Sequence, residues 1–161
     1  MKKTFILLAA VITTIFATAN SANAQYNTFS KGNFLVQGVI GIPTAKSGDC
    51  HVPPFGVSAE YGIADFGKAG SLGVGASFEY SKYDLNWVVF EVIAGYHYFF
   101  NPNIEVHAKI GGGYYKCEWL GGFSRSIFAG ASYFFNDHIA VTVEAGASMV
   151  TCLRAGITIN L

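Results

Sequence analysis

Charge is scarce in this chain. Ten Lys and Arg and ten Asp and Glu make up 12% of its 161 residues, and they cancel at pH 7. Soluble domains carry about 25% charged residues. A net charge of zero offers nothing to nucleic acid or to any other strongly charged partner. Long apolar runs are also missing. Beyond the N-terminus, no stretch reaches the ~20 apolar residues that a membrane helix needs. A chain so poor in charge must hide its surface from water or place it in lipid, and if it crosses a membrane it must do so with strands. What it has in quantity is aromatic side chains, 16% of the total, and 19 glycines. The length is that of one domain.

The N-terminus has the layout of a secretory signal. Lys2 and Lys3 precede an apolar run from Phe5 to Ala19, and Ala22-Asn23-Ala24 fits the small-x-small cleavage rule. The expected division is a signal peptide at 1–24 and one mature domain at 25–161, starting at Gln25. An uncleaved anchor helix fits less well, because the run is short and ends in small polar residues. No cysteine lies near the cleavage site to carry a lipid anchor. Cys50, Cys117 and Cys152 are the three cysteines, an odd number without metal-site spacing, and the expectation is no stable bridge.

From Phe34 onward the dominant signal is period-two alternation, the mark of a strand with two unlike faces. Phe55, Val57, Ala59, Tyr61 and Ile63 alternate with Gly56, Ser58, Glu60 and Gly62. Leu72, Val74, Ala76, Phe78 and Tyr80 alternate with Gly73, Gly75, Ser77 and Glu79. Continued along the chain, the pattern predicts eight strands at about 32–42, 55–63, 71–81, 87–100, 104–116, 124–135, 139–150 and 153–161. Most approach the ~9–11 residues of a tilted membrane strand. Asn101-Pro102-Asn103 and Asn136-Asp137 are made of turn-forming residues. Longer connections fall at 43–54, 83–86 and 117–122, and the last two strands join around Thr151.

The two faces differ in what they carry. Glu60, Glu79, Glu91, Glu105 and Glu144 all fall on the small, polar face, with Gln37, His97, His107, Lys109, Arg154, Thr158 and Asn160. The apolar face has charge only near strand ends, at Lys82, Lys116 and Arg125. Lys or Arg facing lipid at mid-bilayer costs ~2–4 kcal/mol, so this exclusion is informative. A soluble barrel would put its bulky apolar face inside. Here the less bulky face is the polar one, and a barrel wall converges inward, so the small and polar residues belong in the lumen. Tyr61, Tyr96, Tyr98, Tyr133 and Phe135 lie near the short-turn ends, while Phe78, Tyr80, Tyr114 and Trp119 lie toward the opposite ends. This is the spacing of two aromatic girdles at the membrane interfaces. The fold expected is an all-β, eight-stranded antiparallel up-and-down transmembrane barrel.

Three segments carry a resemblance to a known group: Lys31-Gly32-Asn33-Phe34 opening the first strand, Ala94-Gly95-Tyr96-His97-Tyr98-Phe99-Phe100 before a turn, and the closing Ala155-Gly156-Ile157-Thr158-Ile159-Asn160-Leu161. With the signal peptide, they make the chain resemble the OmpA/OmpX-type small outer-membrane barrels, especially the "outer membrane protein beta-barrel domain" proteins of the Bacteroidota. Many of those end in an aromatic residue, where this chain has Leu161. The resemblance implies a bacterial outer-membrane location, contact with lipid and lipopolysaccharide, and passage through the barrel assembly machinery. It names no surface ligand.

The lumen of an eight-stranded barrel is just wide enough for side chains to fill it. The inward polar residues therefore predict a buried network, and buried charges need partners. Counting through the turns on unbulged strands sets His97 opposite His107. It puts Lys109, Gly130 and Glu144 in one row, with Lys109 reaching Glu144 across the glycine. It sets Glu79 against Glu91, with Arg154 as a candidate cation. Some barrels of this kind act on lipid A through a Ser/His/carboxylate set on the lipid-facing surface. Here both strand histidines point inward, His138 sits at a turn, and there is no G-x-S-x-G elbow. The expectation is a non-enzymatic envelope or surface-interaction protein without cofactor or metal, His97 and His107 forming a hydrogen-bonded pair. A narrow channel for ions or small solutes is the alternative, and a lipid A-modifying enzyme comes third.

Overall fold

The structure is a computed structural model, and it describes residues 29–44 and 49–161. The signal peptide and its cleavage point before Gln25 lie outside the described residues. Eight strands follow in order: β1 Phe34–Pro43, β2 Val52–Asp65, β3 Ser71–Lys82, β4 Asn86–Asn101, β5 Ile104–Cys117, β6 Leu120–Phe134, β7 Ile139–Ala147 and β8 Thr151–Asn160. Each pairs antiparallel with its neighbour, and β8 pairs with β1 to close the barrel. At the seam Phe34 and Leu161 exchange both backbone hydrogen bonds, at 3.1 and 2.8 Å. No sheet edge is left open, which is the one arrangement of strands that satisfies every backbone group without water.

Alternation sorts the side chains. Val92, Ile110 and Ile157 point outward and are 71%, 61% and 55% exposed, while Glu60, His97 and Gln37 point inward and are buried. The barrel thus turns its bulky apolar face outward and its polar face inward. A contiguous apolar exterior of this extent is foreign to soluble monomers.

Local chemistry builds the turns. The Asn101 side-chain oxygen accepts from the backbone N–H of Asn103 and Ile104, both at 2.9 Å. Asn136 does the same for His138 and Ile139, at 2.9 and 2.8 Å. Between β2 and β3 a short 3₁₀ turn, Gly67–Ala69, ends at Gly70 with φ of 108°, where a side chain would be strained and would meet the backbone of His97.

Several expected boundaries and registers need correction. The β5–β6 connection is a two-residue turn at Glu118-Trp119, not a loop over 117–122, and Cys117 pairs with Leu120. Glu118 takes φ of 46°, a conformation that asparagine or glycine normally signals. The shorter turn moves the register by two residues, so Lys109 faces Phe128, and the row across Gly130 is His107–Gly130–Glu144. Between β3 and β4, Lys82 pairs with Asn86, which sets Glu91 opposite Ser77 and Glu79 opposite Val89 rather than against each other. Strand β7 stops at Ala147, three residues early. Ser148 makes the turn there, its hydroxyl accepting from the N–H of Val150 and Thr151 at 3.2 Å each. In β8 the register shifts opposite Ile42 and Pro43, a bulge that lets Thr151 and Arg154 both point inward.

Candidate functional site: the charged lumen

The lumen contains a closed ring of six ionisable side chains drawn from four strands. Glu60 on β2 meets Lys109 Nζ at 2.8 Å and His97 Nε2 at 3.2 Å. The other nitrogen of His97, Nδ1, bonds to Glu105. Glu105 faces His107 Nδ1 at 3.4 Å, and His107 Nε2 meets Glu144 at 2.8 Å. Glu144 closes the ring to Lys109 at 3.4 Å. Acid and base alternate around the ring, and all six side chains are buried.

The register produces this arrangement. His97 and His107 are direct cross-strand partners on β4 and β5, their ring centroids 5.7 Å apart. Gly130 on β6 stands between His107 and Glu144, and a Cβ there would lie 2.6 Å from His107 Nε2 and 2.6 Å from Glu144 Cγ. The glycine is the gap through which the histidine reaches the carboxylate. Lys109 reaches across the barrel and also donates to Gln37 Oε1 at 2.8 Å, and Ser58 donates to the same oxygen at 3.4 Å.

A second cluster continues from Glu144. Arg154 donates through Nε to Glu144 at 2.5 Å and through Nη1 to Glu79 at 2.6 Å. Its guanidinium lies 3.8 Å from the centroid of the Phe128 ring, a cation–π contact inside the barrel. Ser148 donates to the second Glu79 oxygen at 2.7 Å. Glu91 makes no ion pair with Arg154 among the described residues; the hydroxyls of Ser124, at 2.5 Å, and Ser126 donate to it. Among the described residues, five inward carboxylates therefore face two permanent cations and two histidines.

At the end bearing the chain seam, Phe29, Leu35, Phe99, Phe134 and Ala140 form an apolar plug. Phe29 is fully buried, packs against the His97 ring at 4.6 Å, and accepts a hydrogen bond from Ser71 Oγ through its carbonyl at 2.8 Å. Sequence reasoning missed Phe29, which precedes the alternating pattern. It also missed Ser124, Ser126 and Ser148, whose roles depend on register. The void beside Glu79 and Arg154, bounded by Val39, Gly56, Ser58 and Ser77, leaves about 10 Å³ for the centre of a water molecule. That is room for about one water.

The aromatic residues singled out from the sequence are placed on the outer wall or at the turns. Tyr61, Tyr96, Tyr114, Trp119, Tyr133 and Phe135 are exposed, and Phe78, Tyr80 and Tyr98 are half-buried among outward neighbours. Phe34 packs on Tyr61 at 4.9 Å, Phe55 on Tyr80 at 5.4 Å, and Tyr133 on Phe135 at 5.5 Å. Cys50, Cys117 and Cys152 are free thiols, Cys117 buried and the others exposed.

A closed eight-stranded antiparallel barrel is the architecture of the small outer-membrane barrels. Solved structures bear this out at the level of fold. The N-terminal β-barrel domain of Pseudomonas aeruginosa OprF is similar to this chain with a TM-score of 0.60 at 12% identity, over 81% of this chain and 98% of that one. The Yersinia pestis outer membrane protein Ail in a phospholipid nanodisc gives 0.56 at 14% identity, over 81% and 100%. A de novo designed transmembrane β-barrel gives 0.60 at 21% identity, over 82% and 98%. No family model matches the chain, and no curated protein matches it in sequence.

Proposed function

We propose that this protein is an integral outer-membrane barrel with a sealed lumen and a non-enzymatic role in envelope structure or surface interaction. The observation that carries the reading is the pairing of an apolar exterior with an interior occupied by ion pairs. Val92, Ile110 and Ile157 are stable outside only against lipid, and the ring of Glu60, His97, Glu105, His107, Glu144 and Lys109 blocks the axis that solutes would follow. The aromatic residues at the two ends of the wall serve as interface girdles. The signal peptide at 1–24 is removed on export, lipid and lipopolysaccharide surround the wall, and the barrel assembly machinery inserts it. The segments Ala94–Phe100 and Ala155–Leu161 support a place among the Bacteroidota barrel proteins.

Fractionation and planar-bilayer recording test this reading together. The protein is expected in the outer-membrane fraction, with a mature N-terminus at Gln25 by mass spectrometry and a gel mobility that changes on heating. It is expected to give no steady conductance. Recovery as soluble periplasmic protein overturns the membrane assignment. Steady ion-selective currents overturn the sealed lumen and favour a narrow channel.

A further inference from the structure

Glu105 is the exception in the ring. Glu60 and Glu144 each touch a lysine or arginine, whereas among the described residues the ion pairs of Glu105 are to His97 and His107 alone. Glu105 is about as buried as a residue can be, at 1% exposure, and its Oε2 has no hydrogen-bond partner among the described residues. His107 Nδ1, 3.4 Å from Glu105 Oε1, also lacks one among the described residues, although the ring is buried. Glu105 Oε1 is the oxygen that faces both Nδ1 atoms, and two buried polar atoms on these neighbouring side chains are left over. Such atoms are costly unless something satisfies them.

The histidines are oriented in a particular way. Each gives its Nε2 to a carboxylate of its own, His97 to Glu60 and His107 to Glu144, and each turns its Nδ1 toward Glu105. That is the disposition of metal-ligating histidines, which donate the far ring nitrogen to a carboxylate that fixes ring orientation and raises ligand basicity. The donor atoms of His97, Glu105 and His107 all lie within 4.8 Å of one another. Small side-chain movements bring them to the ~2.0–2.2 Å at which nitrogen and carboxylate oxygen bind zinc.

We propose that His97 Nδ1, His107 Nδ1 and the Glu105 carboxylate form a binding site for one divalent transition-metal ion inside the barrel. Two imidazoles and a carboxylate suit zinc and its first-row neighbours rather than calcium or magnesium, which prefer all-oxygen sets. The ion places further positive charge beside Glu105, whose ion pairs among the described residues are to the two histidines. Glu60 and Glu144 orient the ligands, and Lys109, bridging those two carboxylates, locks both orientations at once. The plug of Phe29, Phe99 and Phe134 closes the site from the seam end, so the ion enters as the barrel folds or when the plug opens. The site is independent of whether the protein serves structure or surface interaction.

The test uses the protein purified in detergent micelles, stripped with chelator, and refolded with graded Zn²⁺. Long-range proton–nitrogen NMR of the imidazoles then reads each ring nitrogen. The expected result is saturation at one ion per chain, with Nδ1 of His97 and His107 shifted and the rings of His51 and His138 unchanged. Co²⁺ in place of Zn²⁺ is expected to give visible ligand-field bands without thiolate charge transfer, which excludes the free cysteines. His107→Gln is expected to abolish binding, and Glu144→Gln to weaken it about 10–100-fold, as loss of an orienting carboxylate does. Should either variant fail to fold, the wild-type spectra still decide. Lumen resonances that stay fixed while Zn²⁺ is added, or shifts confined to His51 and His138, overturn the proposal.

Discussion

Replacing Lys109 by methionine tests whether the lumen is dry. Lys109 is buried, and its ammonium lies 2.8 Å from Glu60, 2.8 Å from Gln37 Oε1 and 3.4 Å from Glu144. Methionine keeps much of the side-chain volume and removes the charge. Glu144 loses little, because Arg154 at 2.5 Å and His107 at 2.8 Å still hold it. Glu60 takes the loss: among the described residues its remaining ion pair is His97 Nε2 at 3.2 Å. Removing one partner of a buried ion pair costs about 3–5 kcal/mol, most of it the penalty of the stranded charge. The double variant Lys109→Met with Glu60→Gln discharges that carboxylate and is expected to be more stable than Lys109→Met alone, with a coupling of about 1–3 kcal/mol, in the range for residues in direct contact. Equilibrium urea unfolding in micelles, followed by the heat-sensitive gel shift, measures both. If Lys109→Met costs under about 1 kcal/mol and the two changes add, water is solvating Glu60 and the interior is a wet channel rather than a packed network.

Three further outcomes follow from the same geometry. Val92→Arg, 71% exposed on the outer wall at mid-strand, is expected to lose about 2–4 kcal/mol or to fail insertion, whereas Val92→Leu is expected to be near neutral. Refolding yield into lipid vesicles distinguishes them, and equal yields would show that this face does not meet lipid. Gly130→Ala places a methyl group between His107 and Glu144 and is expected to cost about 1–3 kcal/mol by overpacking, read by urea unfolding. Asn101→Ala removes the acceptor for two turn N–H groups and is expected to cost about 1 kcal/mol with the strand register unchanged, which amide exchange of Asn103 and Ile104 would report.

The sequence by itself determined the barrel and the identity of its two faces. A strand's side chains alternate with a period of two, so Phe55, Val57 and Tyr61 on one side and Gly56, Ser58 and Glu60 on the other are a property of local backbone geometry. The scarcity of charge on the apolar face then indicated which way each strand turns. The pairing of His97 with His107 was also legible, because the Asn101–Asn103 turn announces itself in its residues. Partners across less explicit turns were not. Glu118-Trp119 and Ser148-Met149-Val150 lack the glycine or asparagine that signals a turn, so the true registers of β5 with β6 and of β7 with β8 emerged only from the closed structure. A two-residue change in register leaves every side chain on its face and changes every neighbour. That is why the list of inward residues could be read from the sequence, while the ring joining Glu60, His97, Glu105, His107, Glu144 and Lys109, and the gap that Gly130 leaves in it, depended on tertiary structure. Closure brings β2, β4, β5 and β7 around one axis, and no local signal encodes the distances across it.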